Sequence, residues 1–199
     1  MRVMIFDHME ECTEAEVQRM LPLVSAQRRE QALKYKHTLG QFCCLKSWLM
    51  LYEGIRELGI RELGDFLYNE HGKPYWENGP YFSISHCKQG IAVAIDDQPI
   101  GIDVEAIRNV DQDLILRTMN KEEQKQIHSN RDFTRLWTQK EAIVKAQGVG
   151  IVSFEQLQGI RSQESGFLSW RNDYFRIQTV EKEKYIYSIA YGKLHCIGA

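Results

Sequence analysis

No stretch of the sequence stays apolar for the ~20 residues a membrane-spanning helix needs. The amino terminus, MRVMIFDHMEECTE, reaches acidic residues by Asp7, so no apolar segment of signal-peptide length is expected there. Charge of one sign is missing too. Lysine and arginine total 25 against 27 acids, a formal net charge of −2. That leaves no chain-wide pull toward nucleic acid or a membrane surface, and any anion site has to be local. The five cysteines (Cys12, Cys43, Cys44, Cys87, Cys196) are odd in number and lack Cys-x-x-Cys spacing. Neither a disulfide framework nor a zinc ribbon is expected; free thiols in a reducing cytoplasm are. His71, His86, His128 and His195 lack the i, i+4 pairing of a zinc-binding helix. No G-x-S-x-G elbow supports a hydrolase nucleophile, and Gly148 and Gly150 make no dinucleotide fingerprint.

What is present is ordinary for a soluble globular protein: 199 residues, 43% hydrophobic and 26% charged. Residues 2–7 read as a strand, and Thr13 with Glu16 forms a capping-box pattern before an amphipathic helix. A long helical pattern follows from Ala26 to Leu58, broken or bent near Gly40. YFSIS (81–85), GIAVAID (90–96) and IGIDVEAI (100–107) read as strands. One helix is expected over DQDLILRTMNKEEQKQI, a second over FTRLWTQKEAIVKAQG, then strands YFRIQTV and YIYSIAYG. Helices followed by antiparallel strands, twice over, suggest an α+β protein of two similar lobes. The lobes divide near the Gln98–Pro99 turn, as residues 1–98 and 99–199, with a site in the cleft between them.

Two segments carry chemistry. In GIDVE, Asp103 and Glu105 lie two apart on a strand, so both carboxylates share one face while Ile102 and Val104 share the other. Like charges that close repel, and something positive should offset them. On the later helix Trp137, Glu141 and Lys145 are spaced i, i+4, i+8 along one face, and Gly148 is a good helix stop. The plain alternatives are a solvent-facing acid pair on the strand and a surface Glu141–Lys145 salt bridge. Taken together, three carboxylates on a strand and a facing helix form an oxygen-only set suited to Mg²⁺, and equally to Mn²⁺. Lys73 in HGKP and Ser85 and His86 in SISHC are usable phosphate ligands. Trp137 reads as a packing anchor.

GIDVE, followed 32 residues later by WTQKEAIVKAQG, closely resembles the double signature of 4′-phosphopantetheinyl transferases, G-[IV]-D-x-E and W-[ST]-x-K-E-[AS]-x-x-K. GKP and FSISH upstream match two further family motifs in the expected order. The resemblance covers about residues 25–150 and favours the larger, two-lobed Sfp type over the small trimeric holo-acyl-carrier-protein synthases. It implies two similar α/β lobes in pseudo-twofold relation, each with a small, largely antiparallel sheet and a long helix. It implies transfer of the phosphopantetheine arm of coenzyme A to a serine of an acyl or peptidyl carrier protein, with release of adenosine 3′,5′-bisphosphate. Carried over by position, it assigns Asp103, Glu105 and Glu141 to Mg²⁺ and Lys145 to the diphosphate. Lys73, Ser85 and His86 would contact the nucleotide end of coenzyme A, and Arg28 and Lys36 its 3′-phosphate. Glu141 is the best base for the serine proton, directly or through a water. A cytoplasmic monomer is expected, with no nucleic-acid or membrane partner.

The chain departs from the family pattern at three places. Cys87 stands where many members carry a second serine, GQFCCLKSW lacks an arginine common after that glycine, and Gln31 sits where a cation could have served. For the carrier surface, Arg117 and Met119 are the residues to test within VDQDLILRTMNKEEQ. Two other readings stay open from the residues alone. One is a Mg²⁺-dependent diphosphate hydrolase acting on coenzyme A or nucleotides; the other is a non-catalytic coenzyme A or carrier-binding module.

Overall fold

Apolar alternation and helix caps build the chain in the order the patterns suggest, in a computed structural model that describes residues 1–60, 67–151, 153–162 and 166–195. Cys196 lies outside the described residues. The first half runs β1 (Arg2–Phe6), α1 (Glu14–Met20), α2 (Ala26–Leu33), α3 (Thr38–Glu57), β2 (Leu67–Tyr68), β3 (Pro74–Tyr75), β4 (Tyr81–Cys87) and β5 (Gly90–Asp96). The second runs β6 (Gly101–Ala106), α4 (Gln112–Thr118), α5 (Lys121–Gln124), α6 (Asn130–Gln147), β7 (Arg161–Ser162), β8 (Phe167–Trp170), β9 (Asp173–Glu181) and β10 (Tyr185–His195). Strands β1, β5 and β4 form one antiparallel sheet in that order. Strands β6, β10, β9, β8 and β7 form a second, also antiparallel. The first sheet packs on α3 and the second on α6. The architecture is α+β, with small antiparallel sheets and two long helices.

Strand β6 is the hinge of the design. Its Ile102 and Val104 are fully buried in a core shared with Ala92 and Ala94 of β5 and Ile189 of β10. Each such side chain contributes about 1.5–3 kcal/mol by leaving water. The opposite face of β6 turns to α6. Gly101 makes that approach possible: a Cβ there would stand 1.9 Å from the carbonyl oxygen of Ala142 and 2.5 Å from the amide nitrogen of Ala146. Backbone atoms cannot yield as side chains do, so only glycine lets the helix lie this close. Asp103 and Glu105, on the face of Gly101, are thereby brought under the helix.

Two local expectations need correction. The long helical pattern is interrupted at residues 34–37, not at Gly40, which lies in the first turn of α3. Gly40 instead makes room for the Tyr35 ring, whose Cδ1 would be 2.7 Å from an added Cβ. The single helix expected over 111–127 is two. Met119 leaves the helical region, and Asn120 starts a new helix with a full capping box: its side chain accepts from the Glu123 amide while the Glu123 carboxylate accepts from the Asn120 amide. A local cap outcompetes helix continuation there.

Candidate active site

Helix α6 starts at the Ser129 cap and ends at Gly148, whose left-handed φ of 74° and N–H hydrogen bond to the Val144 carbonyl close the last turn. Between these stops its buried face is pinned to the second sheet by hydroxyls: Thr138 bonds Ser188 at 2.8 Å, and Ser188 bonds Thr179 at 2.9 Å. The β2–β3 hairpin clasps its far end. Asn69 donates to the Gly148 carbonyl at 2.7 Å, and Lys73 Nζ donates to the Lys145 carbonyl at 2.5 Å. Helix and strand are thus held in fixed register, so that Glu141 and Lys145 face Asp103 and Glu105.

The centre of the site is Asp103, only 3% exposed. Lys145 Nζ lies 2.6 Å from its Oδ1, and Ser85 Oγ donates to the same oxygen at 2.8 Å. Oδ2 is buried without a hydrogen-bond partner. An orphaned carboxylate oxygen is costly, and a cation or donor from outside the chain would complete it. The anticipated Glu141–Lys145 surface bridge gives way to this Lys145–Asp103 pair across the helix–strand contact.

The other two carboxylates register their neighbours' charge. Burial pushes Glu141 up to about 7, with Asp103 and Glu105 adding to the shift and Lys145 opposing it. Burial and then Asp103 also raise Glu105, while Arg108, Lys145 and a hydrogen bond from Trp137 pull the other way. Trp137 therefore does more than pack on Phe133 and Phe154. These shifts describe three acids converging on one small volume. Among the described residues no three His, Cys, Asp or Glu side chains already stand close enough to grip an ion. The donor set nonetheless suits a hard divalent cation: oxygens only, one of them orphaned, with excess negative charge.

A cleft of about 270 Å³ opens beside this cluster, lined by Lys73, Phe82, Glu141, Lys145 and Gly148 among others. Lys73 is pushed down to about 8 by burial and by Lys145. His86, next to the end of β4, is held below the usual imidazole range by the surrounding protein and by Lys145 and Arg28. The Arg28 charge thus acts on His86, although its guanidinium donates to the Cys44 carbonyl at 2.8 Å and lies 4.3 Å over the Trp48 ring. Lys36 is exposed in the α2–α3 connection, and among the described residues no ion pair holds it. A wider groove of about 750 Å³, lined by Leu23, Trp48, Tyr52 and Glu53, shares no residue with this cleft.

The family model described as the 4′-phosphopantetheinyl transferase superfamily matches residues 99–190, which contain both the GIDVE strand and α6. Over this half the chain is similar to that superfamily. It is 29% identical over 164 residues to a 4′-phosphopantetheinyl transferase of Bacillus subtilis, covering 77% of this chain and 73% of the relative. It is 26% identical over 149 residues to the transferase Sfp of Bacillus subtilis strain 168, covering 70% and 66%. To the transferase AcpT of Salmonella typhimurium it is 34% identical over 100 residues, covering 45% and 52%.

The sequence shows Ser85 but not the contacts it makes, and neither Ser83 nor the burial of Lys140 stands out from it. Ser83 and Ser85 tie β4 to β6 through their hydroxyls, which accept the Ile102 amide at 3.0 Å and the Val104 amide at 3.2 Å. Lys140, neighbour of Glu141, is fully buried, paired with Glu123 at 2.6 Å and bonded to the Leu157 carbonyl at 2.7 Å. The surface candidates separate: Met119 is fully buried, while Arg117 pairs with Glu155 at 3.2 Å and lies over Phe154. Met119 is therefore no docking residue.

Proposed function

We propose that this protein transfers the 4′-phosphopantetheine arm of coenzyme A to a serine of an acyl or peptidyl carrier protein, leaving adenosine 3′,5′-bisphosphate. The observation that carries the reading is the convergence of Asp103, Glu105 and Glu141 beside Lys145, with Glu141 and Lys145 lining a cleft and Asp103 Oδ2 unpaired. Similarity to the superfamily supports the reaction class, and neither the hydrolase nor the passive binder has an observation of its own.

Asp103, Glu105 and Glu141 would hold Mg²⁺ or Mn²⁺, which supplies charge neutralisation for a diphosphate and its leaving group. Lys145 adds a positive charge at the same place. Glu141 takes the proton of the carrier serine, directly or through a water. The serine oxygen forms a bond to the phosphorus that bears pantetheine. The diphosphate bond breaks, and its electron pair leaves with the bisphosphate. Lys73, His86, Arg28 and Lys36 are assigned to the nucleotide end, where phosphate recognition calls for cations and donors. Ser85 belongs to that group by family position. The two lobes, 1–98 and 99–199, bring these sets together, and a monomer contains both. Among the described residues no helix is long and apolar enough to cross a membrane.

The test is mass spectrometry of an apo carrier protein incubated with this protein, coenzyme A and Mg²⁺. A gain of one phosphopantetheine arm, abolished by EDTA and by Glu141→Gln, is expected. Cleavage of coenzyme A with no modified carrier, across fatty-acid and peptidyl carriers alike, would instead establish the hydrolase.

A further inference from the structure

Strands β4 and β6 are edge strands of two different sheets, yet they run side by side. What joins them is a pair of hydroxyl rungs. Ser83 Oγ accepts the Ile102 amide, and two residues on Ser85 Oγ accepts the Val104 amide. The period of two follows from strand geometry, since residues i and i+2 of β4 face the same neighbour. The rungs satisfy amide donors of a buried edge that would otherwise lack partners.

Ser85 does more than Ser83. Besides accepting from Val104 it donates to Asp103 Oδ1 at 2.8 Å and lies 2.8 Å from Lys145 Nζ as acceptor. A hydroxyl has one proton and two lone pairs. All three are engaged within the chain, and the residue is only 7% exposed. Asp103 is correspondingly lopsided: Oδ1 takes both Ser85 and Lys145, and Oδ2 has no partner.

We propose that Ser85 is a positioning residue that fixes Asp103 by one oxygen and so presents the other to the divalent cation, rather than a contact to coenzyme A. The inference rests on the metal role assigned to Asp103 above, and it departs from the nucleotide role that family position gives Ser85. A contact to nucleotide through Oγ would require Lys145, Asp103 or the Val104 amide to be released first. Ser83 is the internal control, because it makes the same rung without touching a carboxylate.

The experiment compares wild type with Ser85→Ala, Ser85→Thr and Ser83→Ala in two binding assays. Mn²⁺ is titrated into metal-free protein and followed by electron paramagnetic resonance, and adenosine 3′,5′-bisphosphate is titrated in EDTA by calorimetry. Loss of a group that orients a metal ligand lowers metal affinity by about ten- to a hundred-fold. That loss is expected for Ser85→Ala, with recovery in Ser85→Thr, no change in Ser83→Ala, and bisphosphate affinity equal in all four. If Ser85→Ala folds poorly, Ser85→Cys keeps the shape with a weaker donor and is read in the same way. Unchanged Mn²⁺ affinity in Ser85→Ala, with weakened bisphosphate binding, would overturn the positioning role and restore the nucleotide contact. Wild-type protein that binds no Mn²⁺ would instead overturn the metal assignment beneath it.

Discussion

Helix α6 carries two lysine–carboxylate pairs at the same distance, 2.6 Å, and they do opposite things. Lys140 with Glu123 is closed. The lysine also bonds the Leu157 and Thr118 carbonyls, and the carboxylate also caps α5, so every buried group there has a partner. Lys145 with Asp103 is open. One carboxylate oxygen is orphaned, two more acids crowd it, and the lysine is part-exposed to a cleft. Distance alone would rate the pairs alike. What separates them is whether the surroundings finish the hydrogen bonding, and an unfinished buried pair is where a ligand has something to add.

The comparison breaks most sharply at Glu141. Replacing it with Gln removes the base and one oxygen charge, and carrier modification should fall by about 10²–10⁴-fold, read from initial rates at saturating coenzyme A. The fold should not suffer, because the lost charge is one its neighbours repel. A Glu141→Gln variant that keeps more than a tenth of the rate would, by about that measure, take Glu141 out of the chemistry.

On the closed side the effect should appear in stability. Lys140→Met strands Glu123 in a buried site and is expected to cost about 3–5 kcal/mol in urea unfolding, with Glu123→Leu added on top recovering part of it. Rate per folded molecule should change little by comparison with Glu141→Gln. Equal losses of stability from both variants would erase the distinction between the pairs.

The active-site side could be read early because its signals are local. An i, i+2 acid pair, an i, i+4 Glu–Lys pair and a terminal glycine each follow from a single element's period, and the motif resemblance sets them facing. The closed pair could not. Lys140 sits in a charged helical segment that reads as solvated, and its partner Glu123 is separated from it by a break in helicity that the apolar pattern of 111–127 conceals. Ser83 and Ser85 were visible as alternating polar residues, but their rungs reach an edge strand of another sheet, which no local pattern encodes. Gly101 is similar: its need arises only once α6 lies on β6.

The open pair also predicts a pH dependence. Glu141 is raised in the folded, metal-free protein from the ordinary 4.5 to about 7. The folded state therefore binds the proton more tightly than the unfolded chain does. Its contribution to stability is complete below about 4.5 and is lost as pH rises through about 7. The loss is at most roughly 3–4 kcal/mol, at about 1.4 kcal/mol per unit. Melting temperature in EDTA should decline from pH 5 to 8, and Mg²⁺ should restore it at the alkaline end. In Glu141→Gln the decline should flatten. A decline that survives the substitution would place its source elsewhere.

The smallest expected effect concerns Trp137. Its indole hydrogen-bonds the Glu105 carboxylate while its ring stacks on Phe133 with centroids 5.8 Å apart. Trp137→Phe keeps a ring for Phe133 and Phe154 and removes only the N–H. If the hydrogen bond helps hold Glu105 for a cation, Mn²⁺ affinity should drop a few-fold, roughly 1 kcal/mol, at nearly unchanged melting temperature. If the indole serves packing alone, the order reverses: melting temperature moves and Mn²⁺ affinity does not. The same residue would then belong with Lys140, on the closed side of the helix.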